Sequence, residues 1–349
     1  MLEALRILSR QLGADLDLVQ GAGGNTSVKC GDRIWVKASG TQLVNAEQDA
    51  IFTALKLNAC REQIASGQPH KLANCIDMTV GRSQLRPSIE TALHVLMPNR
   101  VVAHVHALNT IAASLQPELD AAMAEALSGL KWIRLPYVMP GAPLADSVGQ
   151  ALAGEAADIV ILENHGLVVG GETTEEVSER IYDVERRLSP LMHDPDELAP
   201  VPAADTTRLT AEGFTTLEDE AITRLAFDDR ALMAASAGTL YPDHVVFLGP
   251  SIAVTETGEP LPAAAERCLA RRGVMQRLIV VPRVGVALQG EVGPAQLTMA
   301  KCLALIARRI RHTENLRTLS RSDEDALINW EAERYRQKLG QQTDPTRVE

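Results

Sequence analysis

Two imidazoles two residues apart, His104 and His106, lie in the run Arg100-Val-Val-Ala-His104-Val-His106-Ala-Leu-Asn109. On a β-branched strand this spacing projects both rings from one face, where they can grip a metal ion together. A third histidine follows another apolar run, Asp158 to Leu162, in Glu163-Asn164-His165-Gly166, and the glycine lets backbone or ligand approach closely. The carboxylate to match them is Glu90, in Arg86-Pro87-Ser88-Ile89-Glu90-Thr91, where Pro87 and Ser88 mark a helix start with an acid in its first turn. Three imidazoles and a carboxylate suit zinc or another divalent ion such as manganese or cobalt.

Two turns offer groups for an anion. The segment Gln20-Gly21-Ala22-Gly23-Gly24-Asn25-Thr26-Ser27 is glycine-rich, and Trp35-Val36-Lys37-Ala38-Ser39-Gly40-Thr41 runs from a strand into small residues. Free amides and hydroxyls there can face an anion. The same segments also read as ordinary hairpin turns, since neither is Gly-x-Gly-x-x-Gly or a Walker loop. Lys37 is either a partner for that anion or a solvated charge at a strand end. His94, four residues after Glu90, shares its helix face and reads as a surface pair or core hydrogen bond rather than a metal ligand. Glu163 either orients the third histidine or is a surface acid.

The elements that must position these groups alternate along the chain. The pattern predicts a helix over Met1–Leu18, strands near Val28–Lys29 and Arg33–Lys37, a helix over Asp49–Ser66, the Glu90 helix ending at Met97, and then the His104 strand. Helices over Thr110–Leu115 and Leu119–Leu127, a strand over Trp132–Val138, a helix over Leu144–Ala153, strands flanking His165 and a helix over Thr173–Leu188 follow. This is an α/β pattern. Residues 193–207, with Pro195, Pro200 and Pro202, read as a linker. The expected organisation is a metal-dependent domain over 1–192, the linker, and a smaller α/β lobe over 208–349. In that lobe helices are expected over Leu217–Ala235, Ala263–Arg272, Gln296–Arg311 and Ser322–Leu339, and strands over His244–Leu248, Arg277–Val281 and Val284–Leu288.

The lobe echoes the first domain. A shift of 119 positions (284 minus 165) places Val284-Gly285-Val286-Ala287-Leu288 on His165-Gly166-Leu167-Val168-Val169, with Pro262 on Pro143 and Glu291 on Glu172. Valine stands at the histidine position, which makes the lobe a possible degenerate repeat without a metal site.

With 349 residues and a net charge of -11, the chain has room for two cores and no electrostatic pull toward nucleic acid or an anionic membrane. Five scattered cysteines without a Cys-x-x-Cys pair point to reduced thiols in the cytoplasm. Neither a signal peptide nor an apolar stretch long enough to span a membrane is evident, and no Gly-x-Gly-x-x-Gly follows a strand, so no nicotinamide site is implied.

Taken in order, Gly24-Asn25-Thr26-Ser27, Ala38-Ser39-Gly40, Ser88-Ile89-Glu90, His104-Val105-His106 and Asn164-His165-Gly166 resemble the class II aldolase/adducin family over roughly residues 5 to 190. That family includes L-fuculose-phosphate and L-rhamnulose-phosphate aldolases and L-ribulose-phosphate 4-epimerase. Val36–Gly40, Pro87–Thr91 and the later Tyr241-Pro242-Asp243-His244-Val245 look most like the aldolase half of bacterial proteins that fuse such a domain to a short-chain dehydrogenase.

The resemblance implies a three-layer α/β/α sandwich around a mostly antiparallel sheet. It implies that His104, His106 and His165 hold zinc, with Glu90 as fourth ligand and acid/base, and that Asn25, Ser39, Gly40 and Ser88 hold a substrate phosphate, with Thr26 and Lys37 as further substrate contacts. The implied activity is retro-aldol cleavage of a small hydroxylated ketose phosphate or sugar acid, the cation stabilising an enediolate. Decarboxylation and 4-epimerisation ask for the same stabilisation, and a catalytically inactive adducin-like binding module is the alternative of another class. A sugar-derived small molecule is the expected partner, and a homo-oligomer, with a tetramer favoured, the expected assembly. Two departures stand out: Ile89 occupies the place of a second serine before the glutamate, and no tyrosine lies between Leu108 and Trp132, where fuculose aldolases place one.

Overall fold

The computed structural model describes residues 1–80, 85–193, 201–290 and 292–330. They form two compact units. The first takes residues 1–110 and 124–188, and the second takes 111–123 with the described residues from 189 onward.

A seven-stranded sheet organises the first unit. Its strands are β1 (Asn25–Cys30), β2 (Arg33–Lys37), β3 (Phe52–Lys56), β4 (Val101–Val105), β5 (Trp132–Leu135), β6 (Ile159–Leu162) and β7 (Gly166–Gly171), in the order β3-β2-β1-β4-β7-β6-β5. Only β5 and β6 pair in parallel; every other neighbour is antiparallel. Helices α1 (Leu2–Ala14), α2 (Leu57–Ala65), α3 (Thr91–Leu96), α6 (Ala142–Gly154) and α7 (Thr174–Leu188) accompany it, while α4 (Leu108–Ser114) and α5 (Asp120–Ala126) fall at the two ends of the stretch 111–123 that belongs to the second unit.

Both faces of the sheet are covered. On one, α2, α3 and α6 bury Cys60, Val95 and Ala145 against Ile34, Val36 and Leu55, and Leu93, Leu144 and Val148 against Val102, Val160 and Val168. On the other lie α1, whose Leu5, Leu8 and Leu12 recur at helical spacing, and α7, which buries Val177, Ile181 and Val184. Each such leucine contributes about 1.5–3 kcal/mol. This is the three-layer α/β/α sandwich, and it explains why β4 is buried along its whole length rather than alternating.

The second unit has its own sheet of β8 (Phe214–Leu217), β9 (Ala253–Val254), β10 (Leu278–Val281) and β11 (Gly285–Gln289), in the order β8-β11-β10-β9. From the β9 edge its pairings run parallel, antiparallel, antiparallel, the same succession as β5-β6-β7-β4. The tight turns match as well. Asn164 (φ 59°) and Gly166 (φ 146°) have counterparts in Arg283 (φ 61°) and Gly285 (φ 154°), with Leu162 facing Gly166 and Val281 facing Gly285. The helix before β10, Leu261–Arg272, carries Pro262 in its first turn, as α6 carries Pro143.

Several elements depart from the sequence pattern. Asp49–Ser66 is not one helix: Phe52–Lys56 pairs with β2, and α2 starts at Leu57. Leu217–Ala235 is broken into short helices, capped by Asp219 and Asp228, whose carboxylates accept from the next backbone amides. His244–Leu248 belongs to a helix, Pro242–Leu248, and all seven of its residues are buried, so its apolar run carried no helical period. The last charged helix is described over Arg321–Asn329, the remainder of Ser322–Leu339 after Trp330 lying outside the described residues, as do residues 194–200 of the linker. All five cysteines are free. Among the described residues no helix is long and apolar enough to cross a membrane.

Candidate metal centre

Strand β4 delivers His104, and His106 follows its last residue, two positions after His104, so both rings leave the face that packs on α3. His165 comes from the turn between β6 and β7. There Asn164 takes a left-handed conformation, and Gly166 passes so close to β4 that a Cβ would collide with the Val105 carbonyl oxygen. The three rings meet with centroids 5.1, 4.8 and 5.3 Å apart, and one nitrogen from each lies within 4.8 Å of the others. All three are buried.

Glu90 is the N-cap of α3, which starts at Thr91 rather than at Pro87 and Ser88, so the acid precedes the first turn instead of lying in it. Its amide donates to Ser88 Oγ (3.2 Å), and the Thr91 amide and hydroxyl donate to the Ser88 carbonyl, which closes the turn. At its other end α3 is tied down by Lys29, whose Nζ donates to the carbonyls of Met97 and Asn99. The turn aims Glu90 at the histidines, with Oε2 3.7 Å from His104 Nε2 and Oε1 3.6 Å from His165 Nε2. Burial pushes the Glu90 carboxyl up, but the imidazoles of His104 and His165, the amide of Asn25 and His106 together outweigh it and hold the group at about 2, ionised.

This donor set fits a small divalent ion. Bonds of about 2.0–2.1 Å in a tetrahedron put donor atoms about 3.4 Å apart, close to the separations between Glu90 and the two imidazoles. His104 Nδ1 lies 3.1 Å from the Leu167 carbonyl, which can only accept, so Nδ1 carries a hydrogen and Nε2 is the nitrogen left to serve an ion. Glu90 Oε1 has no hydrogen-bond partner among the described residues although it is buried.

The remaining candidates separate by strand face. Asn25 stands directly opposite His104 and shares its face. Its side chain is taken up within the centre, since Nδ2 donates to Glu90 Oε2 (2.7 Å) and Oδ1 accepts from His94 Nε2. Thr26 is a correction: alternation turns it to the other face, where its hydroxyl meets Ser9 of α1 at 2.7 Å, so it does not reach the site. Ser39 and Gly40 are brought beside Ser88 by the bridge between Ala38 and Pro87 and by hydrogen bonds from the Ser39 amide to the Arg86 carbonyl and from the Ser88 amide to the Lys37 carbonyl. Both serines stay partly open. Lys37 is buried, not solvated, and its Nζ donates to the Ala22 carbonyl in the glycine-rich turn (2.9 Å). Glu163 pairs with Arg134 of β5 at 2.7 Å.

The glycine-rich turn lies directly on the histidines. A Cβ at Gly23 would stand 3.0 Å from His106 Nδ1, and one at Gly24, where φ is +62°, 2.9 Å from the His104 carbonyl oxygen. Gly24→Ala is therefore expected to destabilise the fold by about 1–3 kcal/mol and to weaken divalent-ion binding. Urea unfolding beside a cobalt titration checks both; wild-type values in each would show that the turn is free to move away.

The sequence pattern left His94 open between a surface and a core role, and it gave no part to Ser27. His94 is fully buried, and its Nδ1 lies 2.8 Å from Ser27 Oγ. The available signal was the alternation of Asn25 and Ser27 on one strand face.

Comparison with known proteins gives the family of this chain. The family model "Class II Aldolase and Adducin N-terminal domain" matches residues 3–189, and the chain belongs to the class II aldolase and adducin family. A Bacillus subtilis (strain 168) protein described as "Uncharacterized oxidoreductase YuxG" is 30% identical over 208 residues, which cover 55% of this chain and 30% of that protein. The chain thus matches less than a third of that relative's length, in keeping with the resemblance to one half of a fusion protein. Among solved structures, the N-terminal class II aldolase domain of a conserved Thermoplasma acidophilum protein is 26% identical, with a TM-score of 0.47, covering 54% of this chain and 92% of that one. L-fuculose-1-phosphate aldolase from Thermus thermophilus is 20% identical, with a TM-score of 0.38, covering 55% and 95%.

Proposed function

We propose that the protein is a zinc-dependent carbon–carbon lyase that cleaves a small hydroxylated ketose phosphate or sugar-acid derivative by retro-aldol chemistry. The observation that carries this reading is the convergence of His104, His106, His165 and Glu90 in one buried cluster. These four residues would hold the ion; manganese or cobalt would also suit the donor set. When bound, it supplies Lewis-acid stabilisation of the negative charge left on oxygen as the bond beside a ketone breaks. Glu90 moves the proton at the carbon that becomes nucleophilic, using Oε1, the oxygen that Asn25 does not engage. Ser39, Gly40 and Ser88 form the partly open edge that takes the substrate anion, and Lys37, whose Nζ donates to the Ala22 carbonyl, supplies a buried positive charge for it. Ile89 brings no hydroxyl there, which favours a carboxylate or a loosely held phosphate.

We further propose a catalytic domain over 1–192, a linker over 193–207 and a lobe over 208–349 that is a degenerate copy of the β4–α7 part of the first. Support comes from the shared succession of strand pairings and the two matching turns, with Val284 in the place of His165. A cytoplasmic homo-oligomer, with a tetramer favoured, completes the reading, supported by the family membership and the free cysteines.

The test incubates zinc-loaded protein with a panel of ketose phosphates, sugar acids and 3-keto acids. Release of an aldehyde with a second, smaller carbonyl fragment is the expected result. Carbon dioxide instead would make it a decarboxylase, an inverted carbinol carbon a 4-epimerase, and no turnover of any member would leave the binding module standing.

A further inference from the structure

Behind Glu90 runs a buried chain of polar groups that the proposed chemistry does not touch: Ser27, His94 and Asn25. A carboxamide has one donating end and one accepting end of nearly equal shape, so packing alone does not decide which faces a neighbour. At Asn25 the choice matters. With Nδ2 toward Glu90 the carboxylate gains a charge-assisted hydrogen bond, whereas a flipped amide would set oxygen against oxygen in a site of low dielectric.

We propose that His94 is a positioning residue that locks the Asn25 carboxamide with Nδ2 toward Glu90, and so holds the Glu90 carboxylate against the three imidazoles. The deduction follows from donors and acceptors. Asn25 Oδ1 can only accept, so the hydrogen between it and His94 belongs to Nε2. In a neutral ring Nδ1 is then the acceptor, and its partner is the Ser27 hydroxyl at 2.8 Å, which donates. The chain has one polarity from end to end: Ser27 to His94, His94 to Asn25, Asn25 to Glu90.

The fold arranges this economically. Ser27 and Asn25 are two residues apart on one face of β1, and His94 lies one turn along α3 from the N-cap that carries Glu90, so a single ring spans the gap between strand and helix. None of Ser27, Asn25, His94 or Glu90 is more than 6% exposed, so water does not compete for these bonds.

The inference rests on the reading of Glu90 as ligand and proton carrier, and its test separates the two. In full-length metal-free protein, nitrogen NMR of the histidine side chains is expected to give His94 as the Nε2–H tautomer, with a slowly exchanging Asn25 side-chain amide. His94→Leu is expected to bind cobalt(II) at wild-type stoichiometry but about ten- to a hundredfold more weakly, as for other groups that orient metal ligands, while His94→Gln, whose amide can still donate to Asn25, restores most of the affinity. An Nδ1–H tautomer, cobalt affinity unchanged in His94→Leu, or His94→Gln no better than His94→Leu would overturn the proposal. Should His94→Leu fail to fold, the wild-type tautomer and His94→Gln still decide. Absence of cobalt uptake by the wild-type protein would sink the proposed function, and the tautomer would then decide the lock by itself.

Discussion

Replacing His104 and His106 together by alanine is expected to remove the metal ion outright, from about one per chain to none by elemental analysis, and to abolish turnover. The two rings supply half of the proposed donor set, and the pair left behind, His165 and Glu90, comes from a turn and a helix cap with no strand to hold them in register. Structural zinc sites with four ligands bind with apparent free energies of roughly 10–16 kcal/mol, so losing two ligands is expected to weaken binding by about a thousandfold or more. The fold is expected to survive, because β4 keeps its hydrogen bonds to β1 and β7 and its Val102 and Val105 side chains remain buried. Circular dichroism and size-exclusion chromatography report that directly. A wild-type protein that stays metal-free after incubation with zinc, manganese and cobalt would move the adducin-like binding module to first place.

The metal-binding candidates were legible because their chemistry is encoded in short spacings. Histidines two apart on a strand need no tertiary information to share a face, and Gly166 after His165 announces a close backbone approach that the contact with the Val105 carbonyl fulfils. Thr26 shows the opposite case. Motif likeness treats residues 24 to 27 as one block, but the pleat divides them, sending Asn25 and Ser27 to the centre and Thr26 to Ser9. That period was readable in the sequence; the partners were not, because Asn25 and Glu90 lie 65 positions apart.

Secondary structure failed where burial is complete. The strand at Phe52–Lys56 and the helix at Pro242–Leu248 are almost wholly buried, so neither shows the polar positions that distinguish a period of two from one of 3.6. His244, which opens the run expected as a strand, is instead fully buried in that helix. Its Nδ1 accepts from the Leu240 amide and its Nε2 donates to the Ser251 carbonyl, while burial pushes the ring down to about 4. In the second lobe a buried histidine thus bonds backbone groups, whereas in the first lobe three buried histidines gather with one carboxylate and a fourth bonds the asparagine behind it.

Glu90→Gln separates the two jobs assigned to that carboxylate. The glutamine side chain is nearly isosteric, and its carbonyl can still accept from Asn25 Nδ2, so the α3 cap and the hydrogen-bonded chain behind it are expected to persist. What the amide lacks is a negative charge for the ion and a lone pair basic enough to take a proton. The first loss lowers metal affinity and is overcome by raising the metal concentration. The second is not: with the site saturated, kcat is expected to stay about 10²–10⁴-fold below wild type, the usual worth of a positioned general acid or base. The two effects are read apart by measuring kcat at increasing zinc. A variant that regains full kcat at high metal would make Glu90 a ligand only, and the proton would have to move through another group at the open edge of the site, where the Ser39 and Ser88 hydroxyls lie.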